Sequence, residues 1–169
     1  MPYIIDVPST RRYPADLARA VARAANETLT HVAAAEDSGP TLLLTDDEYV
    51  QQLNQQYRGE DRPTDVLSFP AGEPLPGQEA DAYLGDIAIS VPSAERQAAA
   101  KGHAVVAELQ LLAVHGVLHL LGHDHLTAAE KATMWTIQAE VLERLGLGAI
   151  QPTEDGHDDD ADAAGDNDA

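Results

Sequence analysis

The feature that most constrains this chain is the run HGVLHLLGHDH at residues 115–125, which places histidines in its most apolar stretch. His115 and His119 are four residues apart, so on a helix both side chains lie on one face, with Cβ atoms about 5–6 Å apart. Both imidazoles can then reach one ion at Zn–N distances of about 2.0–2.1 Å. Gly122 allows the helix to end in the left-handed conformation. The chain can then turn back, and His125 can supply a third ligand.

The ligand set predicts a catalytic rather than a structural zinc ion. Three neutral imidazoles leave the fourth position open to water, and zinc can lower the pKa of such a water to near 7. The spacing H-x-x-x-H-x-x-G-x-x-H is that of the metzincin proteases, in which a glutamate general base follows the first histidine. Here that position is Gly116. We therefore expect one Zn²⁺ in a hydrolytic site that lacks the protease base.

Two further residues lie inside the motif, and their roles stay open at this point. Asp124 can orient a ligand imidazole as a hydrogen-bond acceptor, or it can cap the segment that follows. His123 is expected at the surface rather than as a fourth ligand. Asp86, in a predicted strand, is a possible accessory residue, although hydrogen bonding at a turn or sheet edge is the expected role of such an aspartate.

Hydrophobic periodicity predicts a single α+β domain over residues 1–150. The sequence favours a mixed four-stranded sheet packed with about five helices, and the zinc site lies at the end of a buried helix. The strands are expected at 2–6, 41–45, 65–69 and 84–90. The helices are expected at about 14–35, 46–57, 92–101, 103–121 and 128–145.

The charge of the chain is uneven. Its formal net charge is −19, and residues 151–169 hold eight acids without a lysine or arginine, which leaves −11 on the rest. Such a composition buries too little apolar surface to fold, so we expect 151–169 to be a disordered acidic tail. The absence of cysteine excludes thiolate ligands and fits a cytoplasmic protein. Because neither a signal peptide nor a membrane span is evident, no membrane partner is expected.

Several segments together resemble one known family. The histidine motif, Leu53-Asn54, Tyr57-Arg58-Gly59, PTDVLSFP at 63–70 and LGDI at 84–87 occur in the order and spacing of the YbeY family of bacterial endoribonucleases, or rRNA maturation factors. The resemblance covers about residues 1–148. One departure is His123, since the family usually has tyrosine there, and the number of histidines that meet the metal is therefore open.

The resemblance implies a single-strand-specific, metal-dependent endoribonuclease. Members of the family act in 3′-end maturation of small-subunit rRNA and in ribosome quality control, so single-stranded rRNA, the small ribosomal subunit and its assembly factors are the implied partners. The resemblance gives His115, His119 and His125 as zinc ligands and Arg58 as a catalytic residue, with His115 and His119 counted in the catalytic set. The general base stays open among zinc hydroxide, Asp124 and the RNA 2′-OH.

Two other functions remain at this point. One is a metallohydrolase of another substrate class, although Gly116 argues against peptides. The other is a non-catalytic ribosome assembly factor with a structural zinc, which the acidic composition favours because an acidic surface grips RNA poorly. Neither the oligomeric state nor the native metal follows from the sequence.

Overall fold

The computed structural model describes residues 3–35, 37–71 and 83–150. The predicted acidic tail at 151–169 lies outside these residues. The described part contains five helices and three strands, and it confirms the α+β class. The helices are α1 (Ala15–His31), α2 (Asp47–Arg58), α3 (Val91–Lys101), α4 (Val105–Leu120) and α5 (Ala128–Arg144). The strands are β1 (Gly39–Thr45), β2 (Val66–Pro70) and β3 (Tyr83–Ser90).

The three strands form one mixed sheet in the order β1-β3-β2. β1 runs parallel to β3, with Leu42 opposite Ile87, and β2 runs antiparallel to β3, with Ser68 opposite Ile87. The central strand β3 is buried along its second half, as its run of apolar residues predicts. β2 is an edge strand within the described residues, so its outer backbone groups are available to other parts of the chain.

The prediction of a fourth strand at 2–6 is wrong, because this segment joins β1 only through isolated bridges. Asp6 and Thr41 form one parallel bridge, with Leu42 N–H donating to the Asp6 carbonyl over 2.8 Å. The next donor of a regular parallel ladder would be the N–H of residue 8, which is Pro8. Proline has no N–H, so the ladder is interrupted there. The segment follows the sheet edge without becoming a strand.

Helix α4 is the centre of the fold. It contacts α1, α3, α5, β2 and β3, and all but three of its 16 residues are buried. The largest cluster of buried apolar side chains surrounds it, including Leu109, Leu112 and Leu118. A smaller cluster of Val50, Leu67 and Ala88 lies between α2 and the sheet. Because α4 is packed on nearly every side, a polar side chain on it needs a specific partner.

Glycines and caps set the ends of α4 and its neighbours. Gly102 (φ 78°) ends α3, and α4 then leaves at an angle of 115°. At the other end Gly122 adopts φ 95°, and its N–H donates to His119 O while His123 N–H donates to Leu118 O. This pair of bonds is a Schellman motif, and it confirms the predicted helix end. Thr127 and Glu130 form a capping box that starts α5.

Within the described ranges, no single helix has both the length and the apolarity to cross a membrane, and only the bent pair α3 and α4 meets these criteria jointly, on length and composition alone.

Candidate metal centre

The three motif histidines converge at the C-terminal end of α4. His115 and His119 project from its last two turns, and His125 returns from the loop that follows Gly122. One ligand nitrogen from each lies within 4.8 Å of the others. The Nε2 atoms of His115 and His119 are 3.1 Å apart. Two nitrogens that share a tetrahedral zinc at the usual bond length lie about 3.3 Å apart, so the donor set fits such an ion.

The orientation of His115 is fixed from α5. Its Nδ1 atom lies 3.1 Å from Oε1 of Gln138, and both side chains are completely buried. With Nδ1 carrying the proton and donating to this amide oxygen, Nε2 presents its lone pair to the cluster. This tautomer is the one that can ligate a metal through Nε2. Gln138 thus selects both the ring position and the tautomer of His115.

Trp135 forms a wall beside the histidines. Its ring lies edge-on to His115, with centroids 5.9 Å apart, and edge-on to His125, with centroids 5.6 Å apart. The ammonium of Lys131, which is also on α5, lies 5.6 Å from the Trp135 ring centroid. The indole therefore packs against both imidazoles on the α5 side of the site.

Gly116 allows α4 to approach β3 closely. A Cβ at this position would lie 3.0 Å from both Cδ1 and Cγ2 of Ile87, which is tighter than ordinary carbon contacts. The position where metzincins carry glutamate is therefore packed against the sheet. Close packing against Ile87 therefore accounts for glycine at the position of the protease base.

The loop residues between Gly122 and His125 have backbone roles. The Asp124 carboxylate accepts a hydrogen bond from the backbone N–H of His125 over 2.8 Å, so it stabilises the loop that presents the third histidine. His123 is half-buried, and its backbone N–H completes the end of α4. Among the residues that the structure describes, the metal-binding cluster comprises His115, His119 and His125, and His123 is outside it.

Arg58 lies at the edge of the sheet, at the end of α2. Its Nη2 donates to the Ser68 carbonyl on β2 over 3.0 Å, and its guanidinium lies 5.8 Å from the Phe69 ring centroid. The Ser68 hydroxyl in turn donates to the Gly116 carbonyl over 3.4 Å. Two contacts through Ser68 on β2 therefore connect Arg58 with the turn of α4 between the first two histidines.

Asp86 is not brought to the histidines. It is exposed on β3, next in sequence to Ile87, whose side chain meets α4 at Gly116. Since successive strand residues point to opposite faces, Asp86 faces away from α4. The Tyr83 hydroxyl donates to its carboxylate. Burial raises the pKa of Tyr83, and this hydrogen bond raises it further.

Gln138 and Trp135 belong to the site, although neither is among the residues that the sequence predicts for it. The buried face of α5 consists of Met134, Gln138, Val141 and Leu142, and Ile137 is half-buried. The available signal was a polar residue four positions after Met134 on an apolar face, because such a side chain needs a partner inside the protein.

Comparison with known proteins places this fold and site in a family. A sequence profile described as Endoribonuclease YbeY matches residues 5–146. An Endoribonuclease YbeY from Pelotomaculum thermopropionicum is 50% identical over 127 residues, which are 74% of this chain and 84% of the relative. One from Bacillus licheniformis is 38% identical over 87% of this chain and 98% of the relative. A solution structure from Thermotoga maritima has the same fold, with a TM-score of 0.56 at 24% identity, covering 90% of this chain and 99% of that one.

The fold and the site define a class: α+β proteins in which the end of a buried helix and the following loop present three histidines to one point. Within that class, the chain belongs to the YbeY endoribonuclease family.

Proposed function

We propose that this protein is a zinc-dependent endoribonuclease that cuts single-stranded RNA, with His115, His119 and His125 holding one Zn²⁺. The observation that carries the proposal is the convergence of three imidazole nitrogens within 4.8 Å. The tautomer of His115 that Gln138 favours directs Nε2 toward the same point. The names of the relatives support the reaction class and RNA as the substrate.

Each part of the site has a defined task in this proposal. A zinc ion held by the three histidines would supply Lewis-acid catalysis and acidify water at neutral pH. Arg58 binds a phosphate of the substrate, because its planar guanidinium matches two phosphate oxygens and offsets the negative charge that develops on them. Trp135 and Gln138 hold the imidazoles in place, so that little reorganisation is needed when RNA binds.

The source of the attacking oxygen distinguishes two forms of the mechanism. If the 2′-OH of the RNA attacks, the products carry a 2′,3′-cyclic phosphate. A 5′-phosphate on one product instead means that water attacks phosphorus and the O3′ atom leaves. Asp124 is engaged with the backbone N–H of His125, which favours a loop-stabilising role for this carboxylate over that of general base. Analysis of the product ends by mass spectrometry separates the two routes.

The cellular role that we propose is 3′-end maturation of small-subunit rRNA and ribosome quality control in the cytoplasm. Residues 1–150 would form the catalytic domain, and 151–169 an acidic tail. The net charge of −11 on 1–150 disfavours strong sequence-independent binding to RNA. The small ribosomal subunit and its assembly factors would then present the single-stranded rRNA, and the intrinsic affinity of the enzyme for RNA can be modest.

The experiment compares cleavage of a single-stranded RNA with that of the same sequence in a duplex, for protein of measured zinc content. Chelation should abolish cleavage of the single strand, and zinc should restore it. Cleavage that survives complete removal of metal would contradict the proposal. Zinc bound at one ion per chain without any cleavage would favour a structural zinc in an assembly factor, and hydrolysis of casein but not RNA would favour the other metallohydrolase class.

A further inference from the structure

An open groove lies on the face of the sheet that is turned away from α4. It encloses about 420 Å³ between α2 and the sheet, and its lining includes Leu43, Leu53 and Ala88. Helix α2 covers only part of this face through the small cluster around Val50. This volume is within the range of small-molecule binding sites, whose volumes begin at about 300 Å³. A protein partner would instead require a contact surface of about 800 Å² on each side.

Aromatic side chains are concentrated around the groove. The chain has five tyrosines, one phenylalanine and one tryptophan. Tyr49, Tyr57 and Phe69 line the groove, and Tyr83 reaches its wall by the hydrogen bond to Asp86. Tyr57 is 63% exposed and packs edge-on against Phe69, with centroids 5.5 Å apart. An exposed ring held by a second ring is suited to stacking against a flat partner.

The groove continues directly into the position of Arg58. This residue follows Tyr57 in the sequence, and its guanidinium lies over the Phe69 ring at 5.8 Å. The aromatic surface and the cation therefore share one rim. A base stacked on the rings would place its phosphate backbone near a positive charge, and a strand that does so would run along the edge of β2.

Asp86 adds a charged acceptor to a mainly apolar lining. Its exposed carboxylate belongs to the groove and receives the Tyr83 hydroxyl. A carboxylate accepts hydrogen bonds from the exocyclic amino group of a base, as in protein contacts with cytosine. Uracil offers only its ring N3–H, which lies between two carbonyl oxygens that a carboxylate repels, so it is the poorer partner. The lining therefore matches a base that carries an amino donor.

We propose that this groove binds one nucleobase of a single-stranded RNA, preferentially one with an exocyclic amino group, while the adjacent phosphate pairs with Arg58. The inference rests on the proposed function, since the strand in question is the substrate. Tyr57 and Phe69 form the stacking surface, and Asp86 selects the base. Stacking on aromatic rings requires unpaired bases, so the groove gives a physical reason for acting on single strands.

The test is a titration of the full chain, labelled with ¹⁵N, by adenosine 5′-monophosphate, uridine 5′-monophosphate and ribose 5-phosphate. The amide signals of Leu53, Asp86 and Ala88 should shift with the adenine nucleotide, less with the uracil nucleotide, and little with the base-free sugar phosphate. Equal shifts with ribose 5-phosphate would mean phosphate binding alone and would overturn the stacking site. Shifts produced by an apolar heptapeptide but by no nucleotide would assign the groove to a protein partner and overturn the proposal.

Variants give the matched controls. Tyr57→Ala should weaken binding of adenosine 5′-monophosphate about tenfold, since stacking on one ring contributes on the order of 1–3 kcal/mol. Tyr57→Phe keeps the ring and should bind as the wild type does. Ile4→Ala removes another exposed apolar side chain, which is 65% exposed and does not line the groove, and should also bind normally. Asp86→Ala should reduce the preference for adenine over uracil to what stacking of the larger purine ring alone provides.

These readouts separate the groove from the metal centre. Nucleotide binding is measured without cleavage, so it can succeed in a protein that proves inactive, and this would sink the proposed function alone. If wild-type protein cleaves single-stranded RNA while no nucleotide shifts the groove amides, the groove proposal fails and the proposed function stands. Because Tyr57 is largely exposed, Tyr57→Ala should fold normally, which its circular dichroism spectrum checks.

Discussion

His115 Nδ1 lies 3.1 Å from Gln138 Oε1, and this contact joins α4 to α5 at the centre of the histidine cluster. Both side chains have no exposed surface. The amide oxygen favours the tautomer that is protonated on Nδ1. The unprotonated Nε2 of His115 then faces His119. The ligand geometry therefore depends on packing between two helices, and not only on the spacing within the motif.

We predict that Gln138→Ala lowers zinc affinity by about 10- to 100-fold, the usual cost of losing a partner that orients a metal ligand. Gln138→Glu keeps an acceptor for His115 Nδ1 and should bind zinc within a few-fold of the wild type. Competition with a chromophoric chelator measures both. The assignment fails if Gln138→Ala folds normally and binds zinc as tightly as the wild type.

Gly116→Glu should destabilise the protein and create no peptidase. A side chain at this position meets Ile87 at 3.0 Å, and overpacking together with a buried unpaired carboxylate costs at least about 3 kcal/mol. The thermal midpoint should fall by roughly 10 °C, and casein should remain uncut. Gly116→Ala should lose less, because it adds one methyl group and gains helix propensity. A wild-type midpoint for Gly116→Glu would refute the packing argument.

Arg58→Ala should lower kcat for single-stranded RNA by about 100- to 1000-fold while zinc content stays at the wild-type level, since the loss concerns charge stabilisation at phosphate. Arg58→Lys keeps the charge without the planar pair of donors and should be intermediate. Arg62→Ala is the matched control, because Arg62 lies in the loop after α2 and is paired with Glu60 over 3.0 Å. An unchanged kcat in Arg58→Ala would remove this residue from the mechanism.

Asp46 makes the stability of α2 dependent on pH. The hydrogen bond from the Tyr49 backbone N–H, and then the pairing with Arg11, lower the pKa of Asp46 below its ordinary 3.8. Because the pKa of Asp46 is lower in the folded protein than in the unfolded chain, its carboxylate stabilises the fold at pH values above 3.8. This contribution is lost as the pH falls from 3.8 through the pKa of the folded state. Asp46→Asn keeps a capping oxygen but has no charge to lose. Its free energy of unfolding should therefore lie below that of the wild type at pH 7 and come closer to it in acid. Urea unfolding at pH 7 and pH 3 measures the gap, and a constant gap would contradict the prediction.

The parts of the fold that follow from local chemistry could be predicted from the sequence. Gly122 ends α4 as expected, because its positive φ and the two bonds around it are local. The ends of the five helices lie within a few residues of the predicted ends. The predicted strand at 2–6 is wrong although its apolar residues suit a strand. The missing N–H of Pro8 interrupts the ladder with β1, and this effect cannot be predicted until β1 is known as the partner.

The site divides in the same way. The three histidines lie within 11 residues of sequence, so their spacing alone predicts that they converge. Gln138 lies 23 residues after His115. Its role depends on how α5 packs on α4, and the hydrophobic periodicity of α5 does not predict that packing. Asp86 shows the converse, since its place in a strand was predicted but the face that it occupies depends on the packing of β3 against α4.

The most direct test of the central claim is the zinc content of His119→Ala, measured by elemental analysis alongside cleavage of single-stranded RNA. His123→Ala is the matched control, because His123 is in the same motif and outside the described cluster. We predict about one zinc per chain and full activity for His123→Ala, and loss of both zinc and cleavage for His119→Ala. Wild-type zinc content in His119→Ala, or zinc loss only in His123→Ala, would contradict the ligand assignment.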